Sequence, residues 1–506
     1  MSSLIDRHGH HILGRLQCLD RVIITGTLPG ICHAEGMTGY LFKRGIRVFD
    51  YASFAAPLRD AIRDNAEALA RDAGLAIEFI RKRNFRKEDR VAAIVKQRGD
   101  HPGLVHVLSA MEPCASYKPW HDKQTHRTCL KPDSGKCLHY YFYFIDEQLG
   151  LCYLRVPTWC PFRLQFYFNG HNWLGRQLDR QGIGHEMIDN AFVSIDDFAK
   201  AQRIADRFDP RKLHRLLDRY ARRYCPVLQT FGVRYHWSLM QAEYASDLVF
   251  KQAEHLQPLY ESISRTAIHA VKPDHVATFL GRKLHGNFEG ELGNHFHTRI
   301  EGTRIGHTMS GKAGIKMYDK FGRVLRIETT VNDVSFFKHH RKVEHRDGSS
   351  SMEDAPMKKT IYSLPALIEK MKAANGRYLA FVSQIEDPTA GVKRVRKLSQ
   401  PVRENDRPLR GFNLFDEHDH ALMLAIARGE FNVNGMTNKA LRSVLKDRSG
   451  SQVSRLLKRL RAHGMLKKIG RTYKYYLTKM GRAVVLTALK LRDLVVIPSL
   501  ASPTPA

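Results

Sequence analysis

Apolar residues recur with two periods along this chain, and the changes of period mark its elements. Residues 17–29, QCLDRVIITGTLP, form a short apolar run closed by a Pro-Gly turn, the pattern of a buried strand. From 54 to 74, FAAPLRDAIRDNAEALARDAG spaces its apolar positions three and four apart and stops at Gly74, which predicts a helix. Between 104 and 168 the runs GLVHVLSAM, CLHYYFYFI, LGLCYLRVP and RLQFYFN are rich in β-branched and aromatic residues, and each predicts a strand. Helical spacing resumes at 171–182 and 196–224. A strand is predicted at 234–250, a helix near 251–267 and a polar β-hairpin over 295–332. No segment repeats at a fixed period.

Residues 386–413, EDPTAGVKRVRKLSQPVRENDRPLRGFN, hold three prolines and few large apolar side chains, a linker composition. The expected division is an N-terminal α+β domain (1–225), a central α+β domain (226–385), a basic linker (386–413), a C-terminal domain (414–492) and a frayed tail (493–506). The expected class is therefore α+β, with antiparallel sheets flanked by helices in the first two domains.

Charge narrows the function. The 506 residues carry 81 Lys and Arg against 51 Asp and Glu, a formal +30. Such an excess ordinarily neutralises phosphates, which makes nucleic acid the expected partner. No apolar run reaches the roughly 18 residues that a membrane span needs. The start, MSSLIDRHGHHILGRLQCLD, is too polar for a secretory signal, so a cytoplasmic protein is expected. Eight cysteines in such a chain read as buried or incidental thiols.

The C-terminal pattern is the most specific. DHALMLAIARGEF and TNKALRSVLK predict two helices, the second capped by Thr437. QVSRLLKRLRAHG gives a third, with Val453, Leu456, Leu457 and Leu460 on one face and a stop at Gly464. MLKKIGRTYKYYLT predicts a hairpin turning at Gly470, and KMGRAVVLTALKL a closing helix. This order resembles the winged helix–turn–helix of MarR-type regulators, and the resemblance implies DNA binding. From Thr437 to Arg482 stand 14 Lys and Arg against one acid, Asp447, a net +13. On the third helix Ser451, Gln452, Ser454, Arg455, Lys458 and Arg459 are expected to face a major groove. Arg471 and Lys474 on the wing are expected to reach neighbouring phosphates.

The central region raises a question of chemistry. GIKMYDKFGRVLRIETTV, preceded by the acidic strand MQAEYASDLVF, resembles the rolling-circle replication initiators of plasmids and filamentous phages. That resemblance implies cleavage of DNA by a tyrosine, leaving a phosphotyrosine and a free 3′ hydroxyl. Tyr318 is then the nucleophile. Lys320, on the same strand face, would lower the phenol's pKa or hold the phosphate. A divalent cation, Mg²⁺ or Mn²⁺, would be held by His295, His297 and Glu328. Glu243 and Asp247 share a strand face that is expected to be solvated.

Cys114, His121, His126, Cys129, Cys137 and His139 follow no zinc-finger spacing, and a basic loop between two strands is expected there rather than structural zinc. WCPFRLQFYFNGHNW reads either as a stacking platform for single strands or as core aromatics. The expected function is a nucleic-acid-binding protein that nicks and joins DNA, as an initiator or transposase of a mobile element does, placed by its winged helix. A non-catalytic winged-helix regulator and an RNA-binding component of a ribonucleoprotein stand beside it as alternatives.

Overall fold

Two long strands form the spine of the larger part of the structure. β1 (Ile12–Thr27) and β9 (His236–Phe250) lie antiparallel, although the boundary expected at 225 falls between them. The computed structural model describes residues 4–82, 84–282, 296–383, 388–404, 407–413, 415–470, 472–497 and 500. The class is α+β, as expected, and the chain divides into two compact units, residues 1–386 and 387–506. The N-terminal and central domains expected from the sequence are thus one unit. One sheet runs through both.

Its other strands are β2 (Ile77–Phe79), β3 (Gly103–Asp122), β4 (Arg127–Asp146), β5 (Gly150–Pro157) and β6 (Leu164–Asn169). A separate hairpin, β7 (His185–Ile188) and β8 (Ala191–Ile195), precedes β9. β10 (Phe296–Glu301), β11 (Arg304–Met309), β12 (Ala313–Lys320) and β13 (Val324–Val331) follow it. The sheet order is β10-β11-β12-β13-β9-β1-β6-β5-β4-β3-β2, antiparallel except for the short β2 beside β3. One face packs its alternate apolar residues into the main core with the helices Tyr51–Asp72, Pro210–Tyr224, Ala253–His269 and Leu364–Ser383. On the other face, Gly170–Arg180 and Phe198–Ala205 cover β1, and Lys87–Arg98 covers β3 to β5. Among the described residues no helix is long and apolar enough to cross a membrane.

Three expectations change. The hairpin over 295–332 is a four-stranded meander, of which His295 lies outside the described residues. The loop expected over the cysteines and histidines is strand instead, because β3 and β4 pair without a break from Glu112 opposite Cys137 to Asp122 opposite Arg127. The helix expected at 196–224 is two helices. The second starts at Pro210, where Asp209 caps it by accepting from Arg211 N.

In the second unit, helices Glu417–Ile426, Gly429–Asn434, Asn438–Val444 and Gly450–Ala462 precede strands Leu466–Lys468 and Tyr475–Leu477 and the helix Lys479–Leu491. Thr437 caps the helix that it was expected to cap, and Ser449 with Gln452 forms a capping box on Gly450–Ala462. Residues 388–413 are not a linker. They form a helix, Pro388–Ser399, and a small hairpin, and Leu398 and Phe412 enter the core of this unit. Helical backbone also continues to Val496, into the stretch expected to fray.

Arg459 holds that segment in place and leaves the set expected to face a groove. It is buried, donates to both Asp419 carboxylate oxygens at 2.7 and 2.9 Å and to Gly411 O at 2.6 Å, and stacks on Phe412. Ser451, Gln452, Ser454 and Arg455 remain exposed on the helix, Lys458 is half-buried and Lys474, just before the strand Tyr475–Leu477, is exposed. Arg471 lies outside the described residues. Arg459→Ala should therefore cost this unit about 3 kcal/mol by taking from buried Asp419 its two closest donors and leaving it Arg410 at 3.4 Å and Asn413 N at 3.0 Å, while Arg455→Ala should change stability by less than about 0.5 kcal/mol. Urea unfolding of the two variants separates them; equal midpoints would show that Arg459 has been misplaced.

Candidate active site

A β-bulge at the centre of the sheet starts the site. From Gly14 opposite Val249, β1 and β9 stay in register up to Leu19 opposite Tyr244 and resume at Val22 opposite Ala242, so Asp20 and Arg21 fall in the irregularity. Asp20 is buried on the face away from the main core. The next chain segment over it begins at Asn169, which ends β6 and caps the helix Gly170–Arg180 by accepting from His171 N and Asn172 N. Gly170 is required there, because a Cβ would lie 2.1 Å from Leu19 O. This close approach lets Asn169 donate to Asp20 Oδ1 at 2.6 Å and sets the His171 ring against the sheet.

Arg326 of β13 is fully buried and organises the interior of the site. Its Nε and Nη2 donate to the two oxygens of Asp247, each at 2.7 Å, a bidentate pair. Nη1 reaches Asp20 Oδ2 at 3.3 Å, and Nη2 also donates to Asn190 O at 2.7 Å in the β7–β8 turn. His171 Nε2 lies 2.9 Å from the same nitrogen, and its Nδ1 lies 3.3 Å from Asp20 Oδ1. Asn190 completes the shell by donating to Asp20 at 2.8 and 3.0 Å. Burial works against the charge on Asp20 and Asp247. For Asp20 the contacts with His171 and Arg326 outweigh it, and for Asp247 Arg326 does, so both carboxyls lie below the usual range.

Toward solvent lie the groups that can do chemistry. Tyr318 and Lys316 alternate on β12 and face the same side as Glu328 and Glu243, their neighbours across β13 and β9. The Tyr318 hydroxyl donates to Glu328 Oε2 at 2.6 Å. Lys316 Nζ bridges Glu328 and Glu243 at 3.0 Å each. Burial, and then Glu328, raise the phenol's pKa, so the proton stays on oxygen until a base takes it. Asp20, Glu243 and Glu328 each place a carboxylate oxygen within 4.8 Å of the others, the one such group of metal-capable residues among those described.

Burial and the neighbouring Glu328 push the Glu243 carboxyl up to about 7. A carboxyl raised on folding favours the folded state below its unfolded pKa, about 4.3, and that contribution is lost as pH rises through 7. Urea unfolding at pH 5 and pH 7.5 should therefore show Glu243→Gln losing less stability across this window than the parent, by on the order of 1–3 kcal/mol. Parallel losses in the two proteins would remove Glu243 as the titrating group.

The structure brings together only part of the expected site. Tyr318 and Glu328 meet directly. Lys320 does not join them, because its Nζ pairs with Asp189 at 2.9 Å, and Lys316 stands where Lys320 was expected. His297 is exposed on β10 and shares a face with Glu328, but β11 and β12 intervene. Three strand spacings are about 14 Å, too far for one ion. Glu243 and Asp247 do not form a solvated face; they turn into the site. Cys114, Cys137 and His139 lie toward the base of the β3–β4 hairpin, and His121, His126 and Cys129 near its tip. Among the described residues these six do not bring three donors within 4.8 Å.

Sequence reasoning missed Asp20, His171, Asn190 and Arg326. Asp20 and Arg326 did carry a signal, since a charge inside an apolar strand needs a buried partner. Comparison with protein-family models, with curated proteins and with solved structures found no match to this chain.

Proposed function

We propose that this protein nicks and rejoins DNA through a covalent phosphotyrosine at Tyr318, and that its second unit binds duplex DNA as a winged helix. The observation that carries the reading is the 2.6 Å hydrogen bond from the Tyr318 phenol to Glu328 within a group of three carboxylates. It pairs a nucleophile with a base in the arrangement that nucleophilic catalysis needs. The phenolic oxygen attacks phosphorus as its proton passes to Glu328, and the bond from phosphorus to the 3′ oxygen breaks, that oxygen taking a proton from solvent to leave as a free hydroxyl.

Three carboxylates form a hard oxygen donor set that suits Mg²⁺ or Mn²⁺. In this reading Asp20, Glu243 and Glu328 hold the ion, in place of His295 and His297. When bound, such an ion neutralises charge developing on the phosphoryl oxygens. Lys316 now supplies the positive charge among these acids and would turn toward the scissile phosphate. The exposed Ser451, Gln452, Ser454 and Arg455, with Lys474 on the wing, support the duplex-binding role, together with the +13 charge of that segment.

One observation favours a second reading, a non-catalytic DNA-binding protein. Lys316 already satisfies Glu243 and Glu328, so the network is closed without any ligand. Incubation of the full chain with labelled single-stranded DNA and Mg²⁺ or Mn²⁺, followed by a denaturing gel, separates the two. A labelled band at the protein's mass supports nicking. DNA binding without such a band supports the second reading.

A further inference from the structure

The sheet has an approximate two-fold axis between β1 and β9. On each side a long strand is followed by helices and then by a four-stranded antiparallel meander whose last strand returns to pair with the long one. The meander β3 to β6 serves β1, and β10 to β13 serves β9. Counting outward from the axis, β6 corresponds to β13 and β5 to β12. Tyr153 on β5 stands opposite Tyr167 on β6 as Tyr318 on β12 stands opposite Arg326 on β13. Arg155 follows Tyr153 by two residues as Lys320 follows Tyr318. Asn169 follows Tyr167 by two, in the place of Glu328.

A cavity of about 350 Å³ lies at this counterpart position, lined among others by Arg21, Tyr143, Tyr153, Tyr167, Asn169 and Asn190. Its size falls at the lower end of small-molecule sites. The rings of Tyr153 and Tyr167 stack with centroids 5.1 Å apart, Tyr143 sits 5.3 Å from Tyr153, and the Arg21 guanidinium lies 5.8 Å from the Tyr167 ring. Asn169 and Asn190 join the cavity to the reacting groups, because both donate to Asp20. Among the described residues no carboxylate accepts from the Tyr153 hydroxyl as Glu328 does from Tyr318; that hydroxyl accepts from Gln165 Nε2 at 3.3 Å. The first half therefore keeps the position and the aromatic groups but lacks the nucleophile's base.

We infer that this cavity is a subsite for one unpaired nucleobase of a single DNA strand that continues across the sheet to Tyr318; the inference rests on the reading given above. Stacked tyrosines beside a guanidinium accept the face of any base. Glu88 and Asp189, which also line the cavity, disfavour a phosphate, so the base enters and the backbone stays outside. Because only an unpaired base can enter, the subsite requires the strand to be unpaired where it passes the cavity.

The test measures binding of the full chain, without divalent metal, to a short fluorescein-labelled oligothymidylate and to a labelled duplex. Two variants probe the cavity. Tyr167→Ala removes a stacking ring, and Ala92→Trp plugs the cavity from an exposed position on the helix Lys87–Arg98, away from the core. Both should weaken oligothymidylate binding about five- to a hundred-fold and leave duplex binding unchanged. Single-strand affinity equal to the parent's in Ala92→Trp overturns the subsite, even where the parent forms the Tyr318 adduct. The expected loss in a protein that forms no adduct supports the subsite and counts against nicking instead. An oligouridylate that binds more tightly than the oligothymidylate, and is weakened by the same variants, overturns the assignment to DNA.

Discussion

Arg326→Met should destabilise the first unit by about 3–5 kcal/mol in urea or guanidinium unfolding. Methionine fills much of the same volume, so the effect isolates the charge and its five donors rather than a cavity. Without the guanidinium, Asp247 loses both of its 2.7 Å contacts, Asp20 loses one of its partners, and the carbonyl of Asn190 loses its donor. The buried Asp247 carboxylate would then have to protonate or admit water. Lysine should not rescue the fold, because one ammonium cannot serve Asp247 with two parallel bonds and reach Asp20 as well. Combining Arg326→Met with Asp247→Leu should recover part of the loss, since apolar replacement of a whole buried pair costs less than breaking it. A loss below about 1 kcal/mol for Arg326→Met alone would mean that this network is not what holds β13, β9 and the β7–β8 turn together.

Tyr318→Phe should abolish the covalent adduct and strand cleavage while leaving duplex binding and the fold intact. Only the phenolic oxygen is lost. Glu328 keeps its contact with Lys316 at 3.0 Å, so no carboxylate is left bare, and the stability change should stay near the roughly 1 kcal/mol of a single hydrogen bond. Glu328→Gln keeps the shape and removes the base, and should slow cleavage by about 10²–10⁴-fold. The two variants are read together by single-turnover cleavage and by circular dichroism. A Tyr318→Phe protein that cleaves like the parent would remove Tyr318 from the chemistry.

What the sequence revealed follows how local each signal is. Strands β3 to β6 and β9 stand out because their apolar and aromatic residues are contiguous, and the caps at Thr437 and Gly464 need only a few neighbours. Tyr318 and Glu328 were legible as a pair because β12 and β13 are joined by a short turn. Lys316 and Lys320 lie on the same face of β12, and the register of the hairpin decides between them: Lys316 stands opposite Glu328, while Lys320 stands opposite Val324 and pairs with Asp189 of a distant hairpin. Asp20 meets Arg326 through strands far apart in the chain, a pairing that no window of sequence contains.

Two further misreadings have the same kind of cause. Residues 386–413 look like a linker by composition, yet Leu398 and Phe412 are enough to anchor the segment in the second unit's core, with Arg459 completing the contact. The duplication about β1 and β9 lives in strand order and register, and leaves no period in the residues. Only the strand order shows that β5, with CYLR, and β12, with MYDK, stand at corresponding places in the sheet.

The most direct measurement of the central claim is the mass of the covalent intermediate. The full chain is trapped on labelled single-stranded DNA with Mn²⁺, digested with protease and nuclease, and its peptides are sequenced by mass spectrometry. One modified peptide is expected, carrying a nucleotide phosphate on the phenolic oxygen of Tyr318. A nucleotide on any other residue, or free nicked DNA with no modified peptide, would contradict it.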